Sequence, residues 1–263
     1  MFAKLLKYDL KKHLSYFLII GGIAIFSAVI AKLTASASSA FLIFVHEFSA
    51  GAMWAMVANA LVNTAIRGHL YFRNSMYGDE SYLTHTLPIK PHTIFWEKYV
   101  ETFIILVLNF IIATVAIVIT YGKDNLTIFF DSAFSILADG LGFSTGLLIF
   151  ILVGILFFEL FNIMIVVYFG NVFGRKKDDN KIRWSVIYGF LAYIVTQIVL
   201  IAIIVVAGIF NPEILKIFAS EGTMITPEMI RPLFIITLAV YAAAPPILGL
   251  ISAKSLDHGI NIE

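Results

Sequence analysis

The 263-residue chain contains no cysteine, few charged residues and only seven prolines. Without cysteine it can form neither disulfides nor thiolate metal sites, and its sequence says nothing about the redox state of its compartment. Charged residues make up 13% of the chain, against about 25% in a typical soluble domain. The net charge of only +1 gives no basis for a nucleic-acid partner. These shortages exclude a disulfide-stapled domain and argue against any water-soluble fold.

Hydrophobic residues are abundant instead, at 60% of the chain, and the mean hydropathy is +0.93. One water-soluble core of this size cannot bury so much apolar surface, so the solvent must be the bilayer. The sequence therefore predicts an all-α membrane protein with a single transmembrane domain over residues 1–263. Its six predicted spans, each about 20 residues or longer, are 14–33, 47–66, 99–120, 146–170, 185–209 and 231–251.

The distribution of basic residues predicts the orientation of these spans. Cytoplasmic loops of membrane proteins carry an excess of Lys and Arg. With six spans, all but four of the 18 basic residues fall on the side that also holds both termini. We therefore expect a multi-pass protein of the cytoplasmic membrane with both termini in the cytoplasm. The four basic residues predicted on the outside are Lys32, Lys123, Lys216 and Arg231.

The first 13 residues have the pattern of an amphipathic helix that lies in the membrane interface. The alternative is an ordinary positively charged flank of the first span, and the two are compatible. A cleaved signal peptide is less favoured because the apolar run is longer than the usual signal core of about 7–15 residues. The apolar face contains Phe2, Leu5, Leu6 and Leu10, and the opposite face contains Lys4, Lys7 and Lys11.

Motifs for catalysis are weak. The chain has no G-x-x-x-x-G-K-[ST] sequence for nucleotide binding, and its six histidines show no metal-binding spacing. The segment GFSTG at 142–146 matches the nucleophile pattern G-x-S-x-G, but that motif requires a strand, turn and helix of an α/β sheet. At the start of a predicted span, its glycines instead indicate close helix packing. We expect no catalytic residue, no metal site and no enzymatic activity in this chain.

Polar residues inside the predicted spans are more informative. An ionised carboxylate in hydrocarbon is costly, so Glu159 should face other helices or a wet cavity, or be protonated. It could belong to a transport pathway, or it could form interhelical hydrogen bonds, and both explanations remain open. Glu101 is weaker evidence, because it lies near a cytoplasmic end from which it can reach water. The intramembrane polar residues are Asn59, Asn63 and Arg67 on one helical stripe, then Glu101, Asn109, Glu159 and Asn162.

The predicted cytoplasmic loop 67–98 is long for a simple connection. Pro88 and Pro91 break the chain and then begin the helix of the third span. The segment before them, MYGDESYLTHTL, leaves apolar side chains in a loop that should face the cytosol. Exposed apolar groups around a structured turn suggest a docking site for another protein. The alternative is that the loop packs on the membrane surface.

Two segments resemble the permease subunits of ABC-2 type ATP-binding-cassette exporters: FAKLLKYDLKKHLSYFLII at the start and YGDESYLTHTLPIKPHTIFWEKYV at 77–100. They are most similar to the Gram-positive bacterial group that handles bacitracin, lantibiotics and other peptides. The resemblance implies an N-terminal elbow helix at about 1–13 and a coupling helix at about 76–92 that contacts a separate ATPase. The charged loop 171–184 would be a second contact. The coupling residues it implies are Tyr77, Gly78, Asp79, Glu80, Tyr82, Leu83, Leu87 and Pro88.

The same resemblance implies a non-catalytic subunit that works with two ATPase subunits and with a second copy of the permease or a homologous one. The chain itself would hold no cofactor, and ATP with Mg²⁺ would bind the partner ATPase. The implied substrate is an amphipathic or antimicrobial peptide, expelled from the cell or membrane to give resistance. The alternative from the residues is a proton-driven secondary transporter that uses Glu159. An intramembrane enzyme would need a paired nucleophile and base, and the sequence offers none.

The predicted topology can be tested directly, because the chain has no native cysteine. Single cysteines at Lys4 and Asn125 should lie on opposite sides of the membrane. In intact cells a membrane-impermeant maleimide should label Asn125→Cys, whereas Lys4→Cys should react only after the cells are opened. The reverse pattern, or equal labelling of both, would contradict the orientation.

Overall fold

The computed structural model of this chain describes residues 2–78, 80–81, 86, 89–177, 179–219 and 226–257. Over this part of the chain every regular element is an α-helix. Six of the helices are long and apolar enough to cross a membrane. The prediction of an all-α fold with six spans is therefore confirmed, and the chain is a multi-pass membrane protein.

The described residues form eight helices. The six candidate spans are α1, α2, α3, α5, α6 and α8, and α4 and α7 are shorter. The bounds are α1 Phe2–Thr34, α2 Ala40–Tyr77, α3 Pro91–Tyr121, α4 Lys123–Leu141, α5 Thr145–Gly174, α6 Lys181–Phe210, α7 Pro212–Ala219 and α8 Pro227–Leu256.

The long helices extend beyond the apolar runs of the sequence. The predicted elbow segment is helical, and it continues without a break into the first span as part of α1. Helix α2 runs to Tyr77, and α3 begins at Pro91, as its proline predicts. The connection between them is therefore 78–90, much shorter than the predicted loop 67–98. Hydropathy marks only the part of a helix that suits hydrocarbon, whereas backbone hydrogen bonds continue regardless of side-chain polarity.

Helix α4 occupies a segment where the sequence predicts only a short connection. It begins after Gly122, which has φ +80, a conformation that favours glycine. Asp124, Asp131 and Asp139 interrupt its apolar pattern, so it contains no long apolar run. Of its 19 residues only Ala138 and Leu141 are buried. A search for apolar runs of about 20 residues therefore misses it.

The helices form two compact units, Met1–Phe129 and Phe130–Glu263. In the first unit α1 packs against both α2 and α3. Its buried apolar contacts include Ala28, Met53, Val57 and Ala116. In the second unit α5 packs against both α6 and α8. A core at its α4–α5 turn contains Ala138, Leu141, Phe143, Leu148 and Ile151.

Glycines let α5 and α6 approach closely, but not the glycines that the sequence suggested. A Cβ added at Gly170 would collide with Ser185 O and with the backbone of Gly189. Gly146, by contrast, faces open space, so the packing role predicted for the GFSTG glycines is wrong at this position. Ser144 of that segment is the N-cap of α5, and its hydroxyl accepts a hydrogen bond of 3.3 Å from the Leu147 N–H. The close contact lies at the other end of α5.

We expect Gly170→Ala to destabilise the second unit, because its methyl group must displace the α6 backbone. Overpacking of this kind costs about 1–3 kcal/mol. The matched control is Gly146→Ala in the same helix, which should change stability by less than about 0.5 kcal/mol. The measurement is the unfolding midpoint of the purified chain in mixed detergent micelles, followed by circular dichroism. Equal midpoints for the two variants would contradict a tight α5–α6 contact.

Candidate functional site

A buried lysine lies at the centre of a charged cluster in the first unit. Lys98 is in the second turn of α3, and 3% of its side chain is exposed. Its ammonium group forms an ion pair with Asp9 and lies 3.3 Å from Glu97 Oε2 and 3.7 Å from Glu101 Oε2. An ammonium ion buried away from water is costly, so a lysine in this position needs carboxylate partners. We call Asp9, His13, Tyr71, Glu97, Lys98 and Glu101 the charged cluster.

Helix α1 contributes two of these residues, Asp9 and His13, which are four positions apart and share one helical face. His13 Nδ1 lies 2.7 Å from Glu101 Oε1, and both side chains are more than nine-tenths buried. Asp9 Oδ1 accepts a hydrogen bond of 3.0 Å from the Tyr71 hydroxyl of α2. The cluster therefore ties together α1, α2 and α3.

The Tyr71 ring brings a second lysine to the cluster. Lys98 Nζ lies 4.2 Å from the ring centroid, and Lys12 Nζ lies 4.4 Å from it. The ring of His13 is also 4.4 Å away between centroids. A cation over an aromatic ring is attracted by the negative face of the π-system. Tyr71 thus supports the cations through its ring and Asp9 through its hydroxyl.

The carboxylates of the cluster are close enough to hold a metal ion, because oxygens of Asp9, Glu97 and Glu101 lie within 4.8 Å of one another. The Lys98 ammonium, however, pairs with all three. It supplies the positive charge that a metal would otherwise bring. Within the described residues, we therefore interpret the cluster as an ion-pair network.

One exposed ion pair links the charged cluster to the α2–α3 connection. Lys12 Nζ lies 3.3 Å from Glu80 Oε1, and about half of each side chain is exposed. The same ammonium contacts the Tyr71 ring. Movement of Glu80 would therefore displace Lys12 of α1 and change its contact with the Tyr71 ring.

The structure describes three of the eight predicted coupling residues. Tyr77 is buried and packs against Phe72, with ring centroids 6.3 Å apart. Gly78 caps α2, and its N–H donates to Asn74 O at 3.1 Å. Glu80 forms the pair with Lys12. The remaining five, which are Asp79, Tyr82, Leu83, Leu87 and Pro88, lie outside the described residues, and the coupling role of the whole set stays a prediction.

The predicted elbow helix has one exposed face and one partly buried face. The structure leaves Lys4, Lys7 and Lys11 exposed, and it partly buries Phe2, Leu5, Leu6 and Leu10. Asp9 and His13 lie on the buried side of the same segment. This part of α1 thus packs on the first unit as well as exposing lysines.

The polar stripe Asn59, Asn63 and Arg67 of α2 is joined to α1 through Tyr16. The Tyr16 hydroxyl donates to Asn63 Oδ1 at 3.1 Å, and Asn63 Nδ2 donates to Asn59 Oδ1 at 2.7 Å. The Arg67 guanidinium lies 3.3 Å from the Tyr16 ring centroid. Between α3 and α2, the amide of buried Asn109 donates a hydrogen bond to the Thr64 hydroxyl. These contacts hold helices together, as expected for hydrogen bonds in a bilayer.

The second unit contains its own intramembrane polar contacts. Glu159 of α5 faces α6, where the Tyr193 hydroxyl donates to Glu159 Oε1 at 2.9 Å. The Tyr241 hydroxyl of α8 donates to Gln197 Oε1 of α6 at 3.2 Å. Asn162 is fully buried, and its amide has no hydrogen-bond partner among the described residues. The role of Glu159 in a pathway stays a prediction.

Sequence reasoning missed most of the charged cluster. The expectation that Glu101 reaches water is wrong, because only 2% of the residue is exposed and His13 is its partner. Asp9, Glu97 and Tyr71 were not singled out, although Glu97 and Glu101 share a helical face at a spacing of four. That spacing could have drawn attention to them. It could not have shown that the face is buried.

The chain matches no family model, no curated protein and no solved structure.

Replacing Lys98 with methionine should strongly destabilise the first unit, because three carboxylates lose their buried cation. Breaking a buried ion pair by removing one partner costs about 3–5 kcal/mol. The control is Lys12→Met, which removes an exposed pair worth about 0–1 kcal/mol. Unfolding midpoints in mixed micelles measure both. If Lys98→Met costs no more than Lys12→Met, the buried pairs do not hold the helices together.

Proposed function

We propose that this chain is the permease subunit of an ATP-driven exporter, and that the charged cluster couples its α2–α3 connection to the membrane helices. The observation that carries the proposal is the Lys12–Glu80 pair, which joins that connection to a buried network across three helices. A transporter driven by a separate motor needs such a link between a cytoplasmic contact and its spans. The cluster supplies it through ion pairs instead of flexible loops.

The charged cluster joins the helix ends on both sides of the α2–α3 connection. Lys98 and Glu97 lie in the first turns of α3, and Tyr71 lies in the last turns of α2, on either side of the connection 78–90. Asp9 and His13 connect both helix ends to α1. Because buried ion pairs are costly to separate, a push on the connection should move the three helix ends together. That behaviour suits alternating access.

The distribution of charge supports the proposed orientation. The connection and the first turns of α1 lie on the lysine-rich side of the predicted topology. We propose that this side is cytoplasmic and that both termini lie there. A cytosolic ATPase would then meet the segment 76–92 and the loop 171–184. The resemblance of these segments to ABC-2 permeases supports the same assignment.

Other subunits would complete the transporter complex. Two ATPase copies would bind ATP and Mg²⁺, since this chain has no phosphate-binding loop of its own. A second permease, identical or homologous, would complete the pathway between the two copies. The proposed cargo is an amphipathic or antimicrobial peptide, expelled from the membrane or the cell.

One observation favours the alternative, a proton-driven transporter. Glu159 Oε2 is buried and has no hydrogen-bond partner among the described residues. Carboxyl groups that face other helices inside a membrane often belong to ion or proton pathways. The alternative would use Glu159 and would need no ATPase, so the two functions can be separated by experiment.

Exchanging the charges of the exposed pair tests the coupling. In proteoliposomes containing the chain and its ATPase, Lys12→Glu should place two carboxylates side by side and lower peptide transport per ATP hydrolysed, by about twofold to fivefold for a surface pair. Glu80→Lys should have a similar effect. The double variant Lys12→Glu with Glu80→Lys should recover most of the loss. The readouts are uptake of a labelled bacitracin or lantibiotic peptide and phosphate release.

The control is Lys7→Glu, which changes an exposed lysine of the same helix that lies outside the charged cluster. It should leave coupling unchanged. Equal losses in Lys7→Glu and Lys12→Glu, with no recovery in the double variant, would reject the proposed link. Peptide movement driven by a pH gradient in liposomes that contain this chain alone, and lost in Glu159→Gln, would establish the alternative instead.

A further inference from the structure

An apolar groove runs between α6 and α8 in the second unit, with a volume of about 640 Å³. Its depth comes from small side chains on both helices, including Ala192, Ala239 and Ala243. Among its described lining residues only Tyr188 and Thr196 carry a polar group. The Thr196 hydroxyl already donates to Ala192 O at 3.0 Å. The groove therefore offers its occupant almost nothing except apolar contact.

The length of the groove suits one leaflet of a bilayer. Its lining on α6 extends from Tyr188 to Ile203, which is about 22 Å at 1.5 Å per residue. Half of the hydrocarbon core is about 15 Å thick. A groove of this length can hold an extended acyl chain and still reach the headgroup region at one end.

That end is defined by aromatic and basic residues. The Tyr188 ring lies 6.0 Å from Trp184, and Lys177 Nζ lies 5.3 Å from the Trp184 ring centroid. From the α5 wall, Phe169 stacks on Phe173 at 4.4 Å. Lys176 Nζ lies 5.8 Å from the Phe173 ring and donates to Ser255 O at 2.9 Å, one turn beyond the lining residue Ile251. Aromatic rings mark the membrane interface, and lysines beside them attract anionic headgroups.

We propose that this groove binds an acyl chain of an anionic phospholipid, whose phosphate is held by Lys176 and Lys177. The apolar lining matches the chain, and the two exposed lysines match the phosphate. An entering peptide strand would leave its backbone amides without partners. An α-helix as long as the groove is about 10 Å across and displaces roughly 1,700 Å³. The groove holds only about 640 Å³, so a second protein could insert side chains but not a whole helix. Lys176 and Lys177 also lie in the loop 171–184 proposed above to meet the ATPase, so the lipid is tested on the purified chain without an ATPase.

Lipid retention on the purified full chain tests the proposal. The protein is equilibrated in nanodiscs of phosphatidylglycerol and phosphatidylcholine in equal amounts, transferred to detergent and analysed by native mass spectrometry. The wild-type chain should retain phosphatidylglycerol in preference to phosphatidylcholine. Ala243→Phe, which fills the groove, should abolish retention. Lys176→Gln with Lys177→Gln should lower the preference for the anionic lipid by about fivefold per lysine.

Matched controls separate the groove from general effects. Ala202→Phe places the same ring at an exposed position of α6 outside the groove lining. Lys4→Gln with Lys7→Gln removes the same charge from exposed positions of α1. Both should retain lipid as the wild type does. Circular dichroism identifies any variant that misfolds, and the wild-type comparison of the two lipids needs no variant.

Three results would overturn the proposal. The wild-type chain could retain both lipids equally, which would remove the role of the lysines. Ala243→Phe could retain as much lipid as Ala202→Phe, which would place the lipid elsewhere. Ala243→Phe could instead convert a dimer to a monomer without changing lipid retention, which would make the groove a contact between copies of the chain.

Discussion

An ammonium group buried among helices has no water to solvate it, and the first unit is organised around this constraint at Lys98. Its carboxylate partners come from α1 and α3, and Asp9 is bound in turn by Tyr71 of α2. In a bilayer, apolar side chains gain little by leaving lipid for another helix. Ion pairs and hydrogen bonds therefore carry more of the specificity of helix association than apolar contact does. The rotation of all three helices about their axes follows from keeping these groups paired.

In the second unit the helices associate through close backbone packing and through hydrogen bonds between polar side chains. Gly170 allows the backbones of α5 and α6 to approach closely, and close approach increases the dispersion contacts that stabilise helices in lipid. Glu159 and Gln197 then find hydroxyl partners on neighbouring helices. Between α6 and α8, small side chains leave a groove instead of a tight contact. Among its described residues, the unit thus combines one close helix pair with one open pair, and the groove of the open pair is large enough for a ligand.

These arrangements assign different tasks to polar and apolar surfaces. In the first unit, polar groups join the α2–α3 connection to the spans, which suits transmission of force. In the second unit, an apolar surface ends in aromatic rings and lysines, which suits a molecule with an apolar chain and an anionic head. Neither task requires catalysis by this chain. Both follow from where charge can be paired or solvated at the membrane boundary.

The sequence by itself determined the fold class, the six spans and the start of α3 at Pro91. Each depends on local properties: the transfer of an apolar segment to hydrocarbon and the fixed φ of proline. It did not determine that Glu101 is buried or that Asp9 and His13 meet residues nearly 90 positions away. It also placed close packing at Gly146, whereas the structure has it at Gly170. Helical periodicity shows which residues share a face, but the partner of that face is set by how the helices pack, and only the tertiary structure decides it.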